Sequence, residues 1–165
     1  MKDILYAPWR DEYVTNQKIE GCVFCHISSH ENDDDGLHVL YRDEHCFLVM
    51  NKYPYTPGHF MIIPHVHTDK LEDLPSEVWL HMSALAQKGV RLLKEGMNAR
   101  GVNIGMNLGI AGGAGIAEHI HMHLVPRWER DTNFITSIAD TRVYSTDFEK
   151  IYQKMKSLIN NYLVD

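Results

Sequence analysis

The chain has 165 residues, of which 44% are apolar and 23% charged, and its formal net charge is −6. This is the size and composition of one ordinary globular domain able to bury its own core. The acidic balance argues against a general nucleic-acid binder, which carries a basic face, and no run of about 18 apolar residues is present to span a membrane.

Residues 1–21 read as an irregular or short helical arm with exposed aromatics Tyr6, Trp9 and Tyr13. Its first residues lack the long apolar segment of a secretory signal, so a cytoplasmic address is expected. Three cysteines, Cys22, Cys25 and Cys46, are an odd count that argues against a disulfide framework. After Cys22-Val23-Phe24-Cys25 comes an acidic loop through Asn32-Asp33-Asp34-Asp35-Gly36, read as a solvated turn.

Three short strands are expected next, Leu37–Tyr41, Cys46–Asn51 and His59–Pro64, broken by Pro54 and Pro57-Gly58. Tight breakers between them favour an antiparallel meander. A long helix is expected from Ser76 to Met97, capped by Ser76 after Pro75. Its apolar stripe is Val78, Met82, Leu85, Gly89, Leu93 and Met97, at three- and four-residue spacing. Strands at Val102–Asn107 and His119–Pro126 follow, joined by a glycine-rich turn. After an irregular stretch, Thr146-Asp147-Phe148-Glu149 reads as a capping box that opens a last helix. Phe148, Ile151, Tyr152, Met155, Leu158, Ile159 and Tyr162 form its apolar stripe. The order predicts an α+β fold with an antiparallel sheet of about five strands, one long helix and a C-terminal helix. A single domain over 1–165 is expected, with an N-terminal arm and a C-terminal helical extension.

Chemistry concentrates in Gly112-Gly113-Ala114-Gly115 and the alternating run His119-Ile120-His121-Met122-His123-Leu124. Period-two alternation places the three histidines on one strand face and their apolar neighbours in the core. Residues two apart on such a face lie roughly 6.6 Å from one another, so the imidazoles can serve one extended ligand. Imidazoles beside backbone amides suit an anion, since both donate hydrogen bonds to oxyanions. A catalytic metal on the triad and nucleophilic attack on phosphorus both remain open from the pattern alone. Cys22-x-x-Cys25 fits a redox pair, two core thiols or half of a zinc site with His67 and His119.

The segment from His119 to Val125 resembles the defining motif of the histidine-triad (HIT) nucleotide-binding superfamily, His-φ-His-φ-His-φ-φ. The stretch Asn51 to Pro64 resembles the segment in which that family holds a ribose. Arg127-Trp128-Glu129-Arg130-Asp131-Thr132-Asn133-Phe134 resembles the branch of diadenosine tetraphosphate (Ap4A) phosphorylase-like and fragile-histidine-like proteins.

The resemblance implies cleavage of a dinucleoside polyphosphate at the α-phosphate through a nucleotidyl-histidine. His121 matches the nucleophile, and His123 the residue that holds the phosphate and assists the leaving group. Phe24 and Val49 match the base pocket, Asn51 the ribose contact, and Asn107 with Gly113, Ala114 and Gly115 the phosphate loop. His59 matches a fourth histidine near the active strand. Cys22, Cys25, His67 and His119 match the structural zinc ligands of some bacterial members, with no organic cofactor implied.

Two positions depart from the pattern. Gly115 stands where fragile-histidine hydrolases carry Gln, and the phosphorylases that match after Arg127 usually lack the two cysteines. Water as second acceptor would make a hydrolase, inorganic phosphate a phosphorylase. Other readings are a purine nucleoside phosphoramidate hydrolase and a weakly catalytic nucleotide-binding module. The family also implies a homodimer; the acidic charge and the lack of a long apolar run leave neither nucleic acid nor membrane as an expected partner.

Overall fold

The computed structural model describes residues 20–129, 131, 138, 144 and 146–164. The expected N-terminal arm with its aromatics, and most of the irregular stretch after Trp128, lie outside the described residues. Among the described residues five strands form one sheet in the order β1-β2-β3-β5-β4, every neighbour antiparallel. They are β1 (Val39–Arg42), β2 (Cys46–Met50), β3 (Phe60–Pro64), β4 (Gly101–Gly105) and β5 (Met122–Arg127). Helices with described ranges accompany them: α1 (Val23–Ser29), α2 (Ser76–Arg91), which runs on through a π-helical turn at Leu92–Gly96, and α3 (Phe148–Tyr162). The α+β class, the antiparallel pairing and the two long helices are as expected. No helix among the described residues is long and apolar enough to cross a membrane.

Strand alternation sorts the sheet into two faces. Leu40, Leu48, Met50, Phe60, Ile62, Met122 and Leu124 form one core with α2 and α3. The whole expected stripe of α2, from Val78 to Met97, is buried there. Gly89 lets α2 lie close against the sheet: a Cβ would meet Leu124 and Phe60 carbons at 2.9 Å. Val39, Phe47, Val49, Met61 and Ile63 point the opposite way and pack on Phe24 and Ile27 of α1.

Several boundaries moved for local reasons. His38 adopts φ +56°, which delays β1 to Val39, and β4 occupies Gly101–Gly105 rather than 102–107. Helix α2 starts after Pro75, and Ser76 is its first residue rather than its cap. The cap of α3 is Asp147, whose carboxylate accepts the Lys150 N–H at 3.0 Å. The acidic loop is tied down rather than merely solvated. Asp34 pairs with Arg42 at 2.6 Å, and Asp35 accepts the buried Tyr152 hydroxyl at 2.7 Å. Helix α1 has no clear signal in the sequence, because seven residues are too few to show a helical period.

Strand β5 begins at Met122, so His119 and His121 precede the ladder instead of lying within it. The ladder with β3 stops at the Ile62–Met122 pair, and beyond it the Pro64 carbonyl accepts the His119 Nε2–H at 2.9 Å. The Ile120 N–H donates instead to the Thr68 carbonyl at 2.9 Å. The facing survives the loss of the ladder: Ile120 joins the helix-covered core, and His119 and His121 stay on the side of α1.

A histidine-lined candidate active site

The four histidines are ordered by hydrogen bonds whose donors can be assigned. His119 Nε2 lies 2.9 Å from the Pro64 carbonyl. A carbonyl only accepts, so the proton sits on Nε2, and Nδ1 keeps its lone pair. His121 Nδ1 likewise donates to the His119 carbonyl at 2.9 Å, which leaves the lone pair of His121 on Nε2. The Tyr55 N–H donates to His59 Nδ1 at 3.2 Å, so His59 carries its proton on Nε2. That proton faces His123 Nδ1 at 2.9 Å, and His123 in turn bears its N–H on the far nitrogen, Nε2. A nitrogen lone pair and an N–H donor therefore stand on rings whose centroids are 4.9 Å apart.

The electrostatics hold this array neutral. Burial, followed by the charges of His123 and His121, lowers His59 to about 3. Burial and the neighbouring His121 bring His123 to about 4. Burial also pulls His121 below the ordinary imidazole value. A neutral imidazole with an unprotonated Nε2 can attack an electrophile without first losing a proton.

Around the array, Phe24 and Val49 sit in the apolar cluster under α1, 2% and 3% exposed, and the Phe24 ring is 5.0 Å from that of His121. Asn51 follows β2, with its side-chain nitrogen 3.4 Å from His59 Nε2. Its Oδ1 accepts the Tyr53 N–H. Asn107 donates to the Gly113 carbonyl at 3.4 Å. The Gly113 and Ala114 amides donate to Ile110 and Gly109 carbonyls within the turn. Gly113 needs its φ of +86°, which a residue with a Cβ rarely adopts. Gly115 is exposed, with open space where a side chain would stand.

Beside this array lies a second cluster. The ligand atoms of Cys22, Cys25, His67 and His119 all fall within 4.8 Å of one another. Cys25 Sγ is 3.2 Å from His67 Nδ1, and His119 Nδ1 is 3.4 and 3.7 Å from the two sulfurs. These separations suit the corners of a tetrahedron with metal bonds of about 2.0–2.3 Å. His119 fits it for a further reason: the Nδ1 lone pair left by its bond to Pro64 faces both thiols.

The sequence did not reveal how many other histidines serve as tethers. His65 donates to the Asp43 carbonyl at 3.0 Å and contacts Ser28 of α1 at 2.7 Å. His81 joins α2 to Asp43 at 2.7 Å. Neither lies in a recognisable motif, and only the folded chain brings their partners together.

Comparison with known proteins gives the family. The HIT domain model matches residues 32–130. An AP-4-A phosphorylase of Mycobacterium tuberculosis is 42% identical over 112 residues, which are 68% of this chain and 57% of that protein. The chain thus spans little more than half the length of that relative. The adenosine 5'-monophosphoramidase of Saccharomyces cerevisiae is 25% identical over 96% of both chains. A crystal structure of a zinc-bound histidine triad family protein from Mycobacterium smegmatis is 32% identical, with a TM-score of 0.70. It covers 86% of this chain and 94% of its own. The chain belongs to the histidine-triad (HIT) family.

Proposed function

We propose that this chain cleaves dinucleoside polyphosphates of the Ap4A type at the α-phosphate, with His121 as the nucleophile. The observation that carries the reading is the tautomer pair: a free Nε2 lone pair on His121 beside an Nε2–H on His123. His121 Nε2 forms a bond to the α-phosphorus as the bond to the bridging oxygen breaks. The leaving nucleoside polyphosphate takes both electrons of that bond, and the His123 N–H donates to its departing oxygen. The acceptor then attacks the nucleotidyl-histidine and restores His121. Phe24 and Val49 wall the base, Asn51 holds the ribose, and Asn107 with Gly113, Ala114 and Gly115 borders the phosphate. The resemblance to the Mycobacterium tuberculosis phosphorylase supports this substrate class.

The test is product analysis on Ap4A with and without inorganic phosphate. AMP marks water as the acceptor and ADP marks phosphate. No turnover in either condition overturns the reading. Turnover of a phosphoramidate alone would favour the second reading, which the yeast monophosphoramidase supports.

The cysteine-histidine cluster is proposed as a structural zinc site, held by Cys22, Cys25, His67 and His119, that anchors the chain just before His121. The zinc-bound mycobacterial relative supports it. Protein purified without chelator should carry about one zinc per chain, and finding none would contradict the assignment.

The domain is proposed to work as a homodimer. Strand β4 ends the sheet, and Ile104 on it and Trp79 beside it on α2 are 50% and 36% exposed. Joining two copies there would cover this apolar strip.

A further inference from the structure

Tyr55 is the most exposed aromatic side chain among the described residues, 57% accessible, and it stands at the rim of the histidine array. A row of rings crosses the site. Phe24 is 5.0 Å from His121, His121 is 4.9 Å from His123, and Tyr55 is 6.3 Å from His123 with the two planes only 24° apart. His59 supports the open end, 4.8 Å from Tyr55 and 5.1 Å from His123. The perch is fixed through the main chain, because the Tyr55 N–H donates to His59 Nδ1.

The two ends of the row differ. Phe24 is 2% exposed and closed into an apolar cluster, whereas Tyr55 opens to solvent at the His123 end of the row. A ligand whose phosphorus lies over His121 and His123, with its first base toward Phe24, directs its departing half past Tyr55.

We propose that Tyr55 is a stacking seat for the second nucleobase of a dinucleoside polyphosphate, the base that leaves with the released nucleotide. This rests on the cleavage reading above and adds a residue that selects for what the leaving group carries. A polyphosphate bridge turns freely at each bridging oxygen, so the second base can fold back onto a ring close to the triad. Stacking on an aromatic side chain suits any base, because every base has a π-face, and it covers apolar surface that Tyr55 otherwise leaves in water. The expected selectivity is therefore for the presence of a second base rather than for its identity.

The test compares Ap4A with adenosine 5'-tetraphosphate, which has the same bridge without the second nucleoside. Wild type should favour Ap4A in kcat/KM, and Tyr55→Ala should reduce that preference about tenfold. Tyr55→Phe and Tyr55→Trp should keep it, because the ring stacks and the hydroxyl does not. A loss of general architecture would lower both substrates together and leave the ratio intact. An unchanged ratio in Tyr55→Ala overturns the proposal. The same ratio is measured as Kd with methylene-bridged, uncleavable analogues of both ligands. If wild type cleaves neither substrate, the cleavage reading fails while the Kd ratio still decides the role of Tyr55. A tenfold fall in Tyr55→Ala upholds the seat; equal binding of both analogues, or of neither, rejects it.

Discussion

The two faces of the sheet use the same strands for different ends. The face under α2 and α3 is closed and apolar, with Leu48, Ile62, Met82, Leu92, Leu93 and Leu124 at zero exposure. The other face is covered by the seven-residue α1 and gives its centre to imidazoles, each held by a hydrogen bond to a main-chain group or to another ring. Neighbouring residues of β5 serve opposite faces: Leu124 packs in the helix-covered core, and His123 faces the site. On the proposed function, stability and chemistry are separated here by one residue of register rather than by distance.

Substitutions on the two faces should therefore fail in opposite ways. On the histidine face, His121→Ala should lower turnover of Ap4A by at least roughly 10³-fold, while the unfolding midpoint changes little. Steady-state kinetics beside thermal melting reads both; comparable rates would remove His121 from the chemistry. Across the sheet, Leu124→Ala should cost about 2–5 kcal/mol of stability, because it opens a cavity between the strands and α2. Urea unfolding measures this, and the protein that remains folded should retain most of its kcat.

Acid should weaken the histidine face selectively. His59 and His123 stand at about 3 and about 4 when folded, below the ordinary imidazole value near 6.5. The unfolded chain therefore binds more protons as pH falls below about 6.5. Stability is fully present above that value and declines toward pH 4, with a loss of about 2 kcal/mol per histidine by pH 5. Denaturation midpoints from pH 7.5 to 5 check the slope, and His59→Gln should flatten it. The smallest expected effect lies at the exposed start of α3. Asp147→Ala removes the cap of α3 and should cost about 1 kcal/mol with no change in kinetics.

Elements with enough turns or enough alternation were legible. The stripe of α2 and the apolar runs of β2 and β3 fell where periodicity put them. What escaped depended on partners remote in the chain. The approach to β5 is set by Pro64 and Thr68, more than fifty residues upstream, whose carbonyls take the His119 ring N–H and the Ile120 main-chain N–H. The aspartates of the acidic loop found Arg42 and Tyr152 only after the fold had formed. At the site, residue types and facing could be read from the alternation, but the tautomers could not. They follow from which carbonyl or main-chain N–H each ring meets, and no spacing encodes that. Tyr55 left no signal either, since an exposed ring in a loop has meaning only beside His59 and His123.

The central claim is that His121 becomes covalently nucleotidylated. Ap4A turnover quenched within the first cycle, digested and analysed by mass spectrometry, should show one adenylyl group on the peptide that contains His121. The adduct should be absent from His121→Ala. Steady turnover with the adduct on another residue would contradict the account.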